Sequence, residues 1–182
     1  MVNTLSETVQ IMNVPVIKAT KENLAEYGLL ISDEMPTECT KVSPTGSVRM
    51  LSVDTYWNTG ASARILYIRK RPGDITSLER YSEASVAFIG IGQQPFALLL
   101  GKPNQNELPD LSEVVCFVFC AGQAVILHKG TWHELPLCIG NQASCVSICP
   151  STEPEKIDIK KRTNNVLYVH LDDLPEEMYS QK

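Results

Sequence analysis

The stretch GQAVILHKGTWHELP, residues Gly122 to Pro136, carries the reading on which the fold turns. Ala124 to Leu127 is an apolar run that reads as a strand. It ends in a Lys129-Gly130 turn, and the chain re-emerges carrying Trp132 and His133. That pattern suits a hairpin that throws a histidine inward, and imidazole is the side chain whose charge changes near neutral pH.

Outward from this hairpin the chain is a series of short apolar or alternating runs separated by turn residues. The expected strands are Val14 to Ile17, Leu29 to Ser32, Val48 to Tyr56, Ala63 to Arg69, Leu78 to Arg80, Val86 to Gly90, Ala97 to Gly101, Val114 to Cys120, Ala124 to Leu127, Leu135 to Ile139, Ala143 to Cys149 and Val166 to His170. A spacing of about 8 to 15 residues leaves no room for crossover helices between most pairs, so the sheets are expected to be mostly antiparallel. The clear helix signal is Thr20 to Gly28, with Thr20 as N-cap, Glu22 in the first turn and Gly28 as the stop. A short helical turn is expected around Asp110 to Glu113. The fold class is therefore all-β, an antiparallel barrel or sandwich with a short N-terminal helix.

The 182 residues fit one domain, with a core over about 14–149 and a C-terminal strand and acidic tail over 150–182, entered through a linker at Pro150 to Pro154. An apolar fraction of 43% supplies a packed core and excludes disorder. The net charge of −5, with Lys and Arg scattered apart from Arg69-Lys70-Arg71 and Lys160-Lys161-Arg162, argues against a nucleic-acid partner. No apolar run approaches the roughly 18 residues that a bilayer demands, and Met1 to Gln10 lacks the pattern of an export signal. A cytoplasmic location with no membrane partner is expected. In such a reducing compartment the six cysteines, Cys39, Cys116, Cys120, Cys138, Cys145 and Cys149, are expected as free thiols, mostly small core residues. Without a Cys-x-x-Cys pair they make a weak case for zinc.

The Gly122 to Pro136 stretch resembles the second cupin motif, with Gly122, Gly130 and His133 in place and His128 where the motif has proline. Reading the first cupin motif from Gly73 places Glu79, Tyr81, Ser85 and Gly92 at its marked positions. Ile68-Arg69, Leu78-Glu79-Arg80-Tyr81, Ala87-Phe88-Ile89, Phe96 and the Gly122 to Pro136 stretch, with Ile17 to Gly28 before them, are similar in order to the ureidoglycolate lyase family of cupins. The similarity runs from about Val14 to Cys149.

The resemblance implies an enzyme, a carbon–nitrogen lyase of purine and allantoin breakdown that eliminates urea from ureidoglycolate to give glyoxylate, or acts on a related small carboxylate. It implies a homodimer as well. The substrate needs a cation for its carboxylate, met by Arg69 or Lys129, and a base and an acid for its hydroxyl and leaving nitrogen, met by Glu79 or His133. Tyr81 joins Glu79 and His133 as a catalytic candidate, and His128 and Trp132 join the substrate-binding set. A divalent metal held by Glu79 and His133 is weakened by Tyr81, which stands where the family has histidine. A phenol titrates near 10 and is a poor ligand beside imidazole. Ser85 likewise replaces the family's glutamine, and the segment after Cys149 lacks its Asp-Arg and Asn-Cys features. A non-catalytic small-acid binding or regulatory cupin, and a cupin enzyme of changed substrate, are the alternative readings.

Glu79 and Arg80 are neighbours on one strand, so alternation turns only one of them inward, and the family frame selects Glu79. His170 reads as structural or exposed.

Overall fold

The computed structural model describes residues 8–32, 41–42, 49–50, 55–57 and 60–180. In chain order its strands are β1 (Gln10–Asn13), β2 (Val16–Lys18), β3 (Gly28–Ile31), β4 (Lys41–Val42), β5 (Arg49–Met50), β6 (Ala61–Arg69), β7 (Asp74–Ile75), β8 (Ser77–Arg80), β9 (Val86–Gly90), β10 (Phe96–Gly101), β11 (Val115–Phe119), β12 (Ala124–Leu127), β13 (Trp132–His133), β14 (Leu137–Cys138), β15 (Gln142–Pro150), β16 (Glu155–Asp158) and β17 (Asn165–Tyr168). Two short helices, α1 (Lys21–Leu24) and α2 (Ile159–Thr163), complete the set with a 3-10 turn at Glu176–Met178.

The architecture is an all-β cupin-like sandwich. One main sheet runs β16-β8-β13-β10-β11-β2, with β14 beside β10; the other runs β3-β12-β9-β15-β6. The pairings are antiparallel apart from β1 with β17 and β2 with β11. Between the two main sheets lies a core of Phe88, Phe96, Leu98, Leu100, Phe117, Phe119, Val125 and Leu127. A second core covers the other face of the first sheet, where Leu78, Ala97, Leu99, Val118 and Trp132 meet Ile159 and Leu167 from the C-terminal segment. This double cover explains why β10 reads FALLLG without a polar break: its even residues face one core and its odd residues the other.

Registers across the second sheet line residues up in rows. Leu30, Val125, Phe88, Ser147 and Arg64 form an inward row, and Ile31, Ala124, Ile89, Val146 and Ile65 the neighbouring outward row.

Several expected elements shift. The helix shrinks to Lys21–Leu24, held by a capping box between Thr20 and Asn23. Gly28 is no helix stop but the first residue of β3, where an added Cβ would sit 2.4 Å from the Ile126 carbonyl oxygen. Asp110 to Glu113 is a turn, with Ser112 donating to the Asp110 carboxylate. The expected Leu135 to Ile139 strand shrinks to β14, and a separate two-residue strand, β13, precedes it; both pair with β10. Beyond Pro150 there are two strands rather than one, and β16 lines up against β8. The Val48 to Tyr56 strand lies mostly outside the described residues, as does Cys39; within that strand β5 pairs with β4.

Candidate active site

The Lys129-Gly130 turn sets the site. Gly130 has φ +80°, a left-handed conformation that side-chain-bearing residues rarely adopt. Its N–H donates to the Tyr81 carbonyl at 2.8 Å, and the Thr131 hydroxyl donates to the Tyr27 carbonyl at 3.0 Å. So pinned, the chain enters β13 with His133 directly opposite Leu100 on one side and Glu79 on the other. Directly paired residues share a face, and Leu100 belongs to the core between the sheets. Glu79 and His133 therefore both point into the sandwich.

His133 is 1% exposed, and the edge of its ring meets Phe88 with centroids 5.7 Å apart. Its Nδ1 lies 3.1 Å from the Thr131 carbonyl oxygen. A carbonyl only accepts, so the proton of the neutral ring belongs on Nδ1 and Nε2 presents its lone pair. That lone pair faces the Glu79 Oε1 at 3.9 Å, beyond direct hydrogen bonding. Burial lowers the imidazole's pKa; the Thr131 contact and the Glu79 charge oppose the shift without cancelling it. The ring is thus a neutral base poised across a gap from a carboxylate. Glu79, with its side chain 21% exposed, holds Lys156 of β16 by its other oxygen at 3.4 Å.

Tyr81 continues the same face of the chain beyond β8 and is buried in the core between the sheets. Burial pushes its phenol up to about 12, helped by the neighbouring Cys149 thiol and the charge of Glu79, while Arg64 pulls the other way. At neutral pH it is a hydrogen-bond donor, not a phenolate.

Three of the sequence candidates, Glu79, His133 and Tyr81, thus converge. The others stand elsewhere. Trp132, next to His133, faces the opposite side of the sheet, donates to the Glu107 carbonyl at 3.2 Å and carries the Arg80 guanidinium 4.8 Å above its ring. His128 Nε2 lies 3.0 Å from the Ala25 carbonyl oxygen and so closes the end of α1. Lys129 is exposed, 3.8 Å from Glu83 and 5.7 Å from the Tyr56 ring. Arg69 shares the outward parity of Ile65 and Tyr67 and borders a surface cleft of about 410 Å³ with Arg71, Glu134 and Leu135. A further cavity of about 270 Å³, lined by Lys70, Arg71, Cys138, Tyr168 and Asp172, contains none of the converging residues.

Lys156 was not foreseen, because nothing near it in sequence marks β16 as the partner of β8. Ser85 is buried but engaged through its backbone, accepting from the Trp57 indole at 3.0 Å and donating to the Tyr56 carbonyl at 2.9 Å.

The motif frame suggests a divalent metal between Glu79 and His133. Among the described residues no three His, Cys, Asp or Glu side chains cluster. Glu79 and His133 supply two donors, and the third neighbour is a phenol that keeps its proton. Catalytic zinc sites take three protein ligands, so these residues do not fit a tightly held ion.

The family model described as Ureidoglycolate lyase matches residues 11–169. No curated protein matches the chain.

Proposed function

Because the chain belongs to the ureidoglycolate lyase family, we propose that it eliminates urea from ureidoglycolate to give glyoxylate, with the chemistry carried by His133 and Glu79. The observation that carries this reading is the bare Nε2 of a buried, neutral His133 facing a carboxylate 3.9 Å away inside the sandwich. The substrate carbon bears a hydroxyl, a carboxylate and the ureido nitrogen. His133 Nε2 takes the hydroxyl proton, and the oxygen's electron pair forms the carbonyl of glyoxylate. The carbon–nitrogen bond breaks with its pair going to nitrogen, which recovers the proton from His133 and leaves as urea. Glu79 stabilises the imidazolium between these two transfers. Tyr81, holding its proton, donates to the ureido carbonyl oxygen as charge develops there.

Every proton moves between side chains and substrate, so no metal is needed. Purified protein is expected to release glyoxylate and urea in equal amounts from ureidoglycolate, at a rate unchanged by a strong chelator. Absence of turnover with or without divalent metal would sink the lyase reading and leave a small-acid binding module or a changed substrate. Loss of turnover on chelation would restore the metal.

The second copy of a homodimer is assigned to the outward face of the β3-β12-β9-β15-β6 sheet. The row Ile31, Ala124, Ile89, Val146 and Ile65 crosses all five strands without a charge, and Ile65 is 59% exposed. Apolar rows of this length mark contact surfaces, and a two-fold axis lets one such face cover itself. Ile89→Glu is expected to convert the dimer to monomer in light scattering; an unaltered dimer, or a monomeric wild type, would refute the assignment. The described cysteines are unpaired thiols, which suits the reducing cytoplasm. Among the described residues no helix is long and apolar enough to cross a membrane.

A further inference from the structure

We propose that Arg64 is the residue that binds the substrate carboxylate, an inference that rests on the lyase reading above. β6 alternates: Leu66 and Ile68 pack against the core between the sheets, whereas Ile65 and Tyr67 stand in solvent. Arg64 has the parity of Leu66 and Ile68, so its side chain starts on the inner face. Its register partner is Ser147, a buried hydroxyl, and the register partner of Ser147 on β9 is Phe88, whose ring meets that of His133. Arg64 thus stands at the end of the inward row that reaches the base. Its charge also acts on the Tyr81 phenol across the sandwich.

Arg64 differs from four other cations near the site in what neutralises it. Arg80 pairs with Glu107 and Glu155, Arg71 with Glu134, Lys129 with Glu83, and Lys156 with Glu79. Among the described residues no carboxylate pairs with Arg64. A guanidinium left open on the inner face of a sheet offers two parallel N–H donors in the geometry that a carboxylate accepts. Charge sets the orientation. Glu79 repels the substrate's carboxylate, so the carboxylate settles toward Arg64 and the hydroxyl is left facing His133 Nε2. Ser147, its register partner, adds a hydroxyl to the same inward row. Arg69, which the motif frame offers for this role, has outward parity on the same strand.

The test compares Arg64→Gln, Arg64→Lys and Arg69→Gln in steady-state kinetics with ureidoglycolate and in calorimetric titration with glyoxylate, which keeps the carboxylate and lacks the ureido group. Arg64 is an exposed residue, so the substitutions leave the buried core untouched. Arg64→Gln is expected to raise KM by about 10- to 100-fold with a smaller change in kcat, the loss expected for a charge-assisted hydrogen bond, and to weaken glyoxylate binding by a similar factor. Arg64→Lys recovers part of both because it restores the charge without the fork, and Arg69→Gln behaves as wild type. Turnover and glyoxylate affinity unaltered in Arg64→Gln would overturn the assignment while leaving the lyase reading intact. A wild type that binds glyoxylate through Arg64 yet does not turn over ureidoglycolate would keep the assignment and remove the reaction. A wild type that does neither would overturn both.

Discussion

Replacing His133 with alanine is expected to lower kcat/KM for ureidoglycolate by about 10²- to 10⁴-fold, the range that general acid–base groups supply. The substitution removes the lone pair that takes and returns the proton, and the neighbouring Tyr81 does not replace it, because it holds its proton to about pH 12. The strand order survives, because β13 is held by backbone pairing to β10 and β8, so circular dichroism should match wild type. The wild-type pH profile carries the same signature. The active form of His133 is neutral, and burial lowers its pKa, so kcat/KM should hold below the ordinary histidine range near 6.5 and fall only in more acidic solution. In Glu79→Gln the carboxylate that favours the imidazolium is gone, so the acid limb should move to still lower pH while turnover drops. An acid limb above 6.5, or wild-type turnover in His133→Ala, would remove His133 from the mechanism.

Arg80→Ala should act on stability instead. Arg80 stands next to Glu79 on β8 but faces the second core, its side chain 7% exposed. It donates to Glu107 at 2.7 Å and to Glu155 at 3.0 Å, and its guanidinium lies 4.8 Å over Trp132. Alanine forfeits two charge-assisted hydrogen bonds, the cation–π contact and the packing of the stem. Glu107 and Glu155 are 71% and 49% exposed, so both rehydrate when released, and the cost stays below that of a stranded buried charge. A loss of about 2 to 3 kcal/mol is expected, equivalent to about 4 to 12 °C in Tm for a chain of this size. The folded fraction should keep its kcat. A mutant with wild-type Tm, or one whose folded fraction has lost its activity, would show that the two faces of β8 are not divided in this way.

That division marks where the sequence was legible and where it was not. β9 and β12 run over the residues expected of them, because each is a compact apolar run bounded by turn residues. His133 and Glu79 were legible through the turn at Gly130 and the motif frame. β13 was not, since two residues carry no period and their strand character comes from β10 and β8 on either side. β16 was hidden for a similar reason: Glu-Lys-Ile-Asp has little preference for strand, and pairing with β8 supplies it. Arg64 escaped because β6 reads ASARILYIR, apolar at both parities. Alternation assigns faces only when one face is polar, and the apolar outward residues Ile65 and Tyr67 erase that contrast. The same ambiguity left Arg69 as the natural candidate until the register with β15 fixed the parity of the strand.

β6 also governs when this protein comes into being. Its partner in the nine-residue ladder, β15, follows it by roughly 80 residues, and at roughly 5 to 20 residues per second a ribosome delivers β15 about 4 to 16 s after β6. Through that interval a strand bearing Ile65 and Tyr67 has no neighbour to shield its edge, and pairings of such long range are slow to form. The wall that carries Arg64 is therefore set only once β15 has been made. A nascent or partly refolded chain without that ladder holds His133 and Glu79 opposite Phe88 but lacks Arg64 in place, so appearance of activity should report closure of the β6–β15 ladder, not formation of the first sheet.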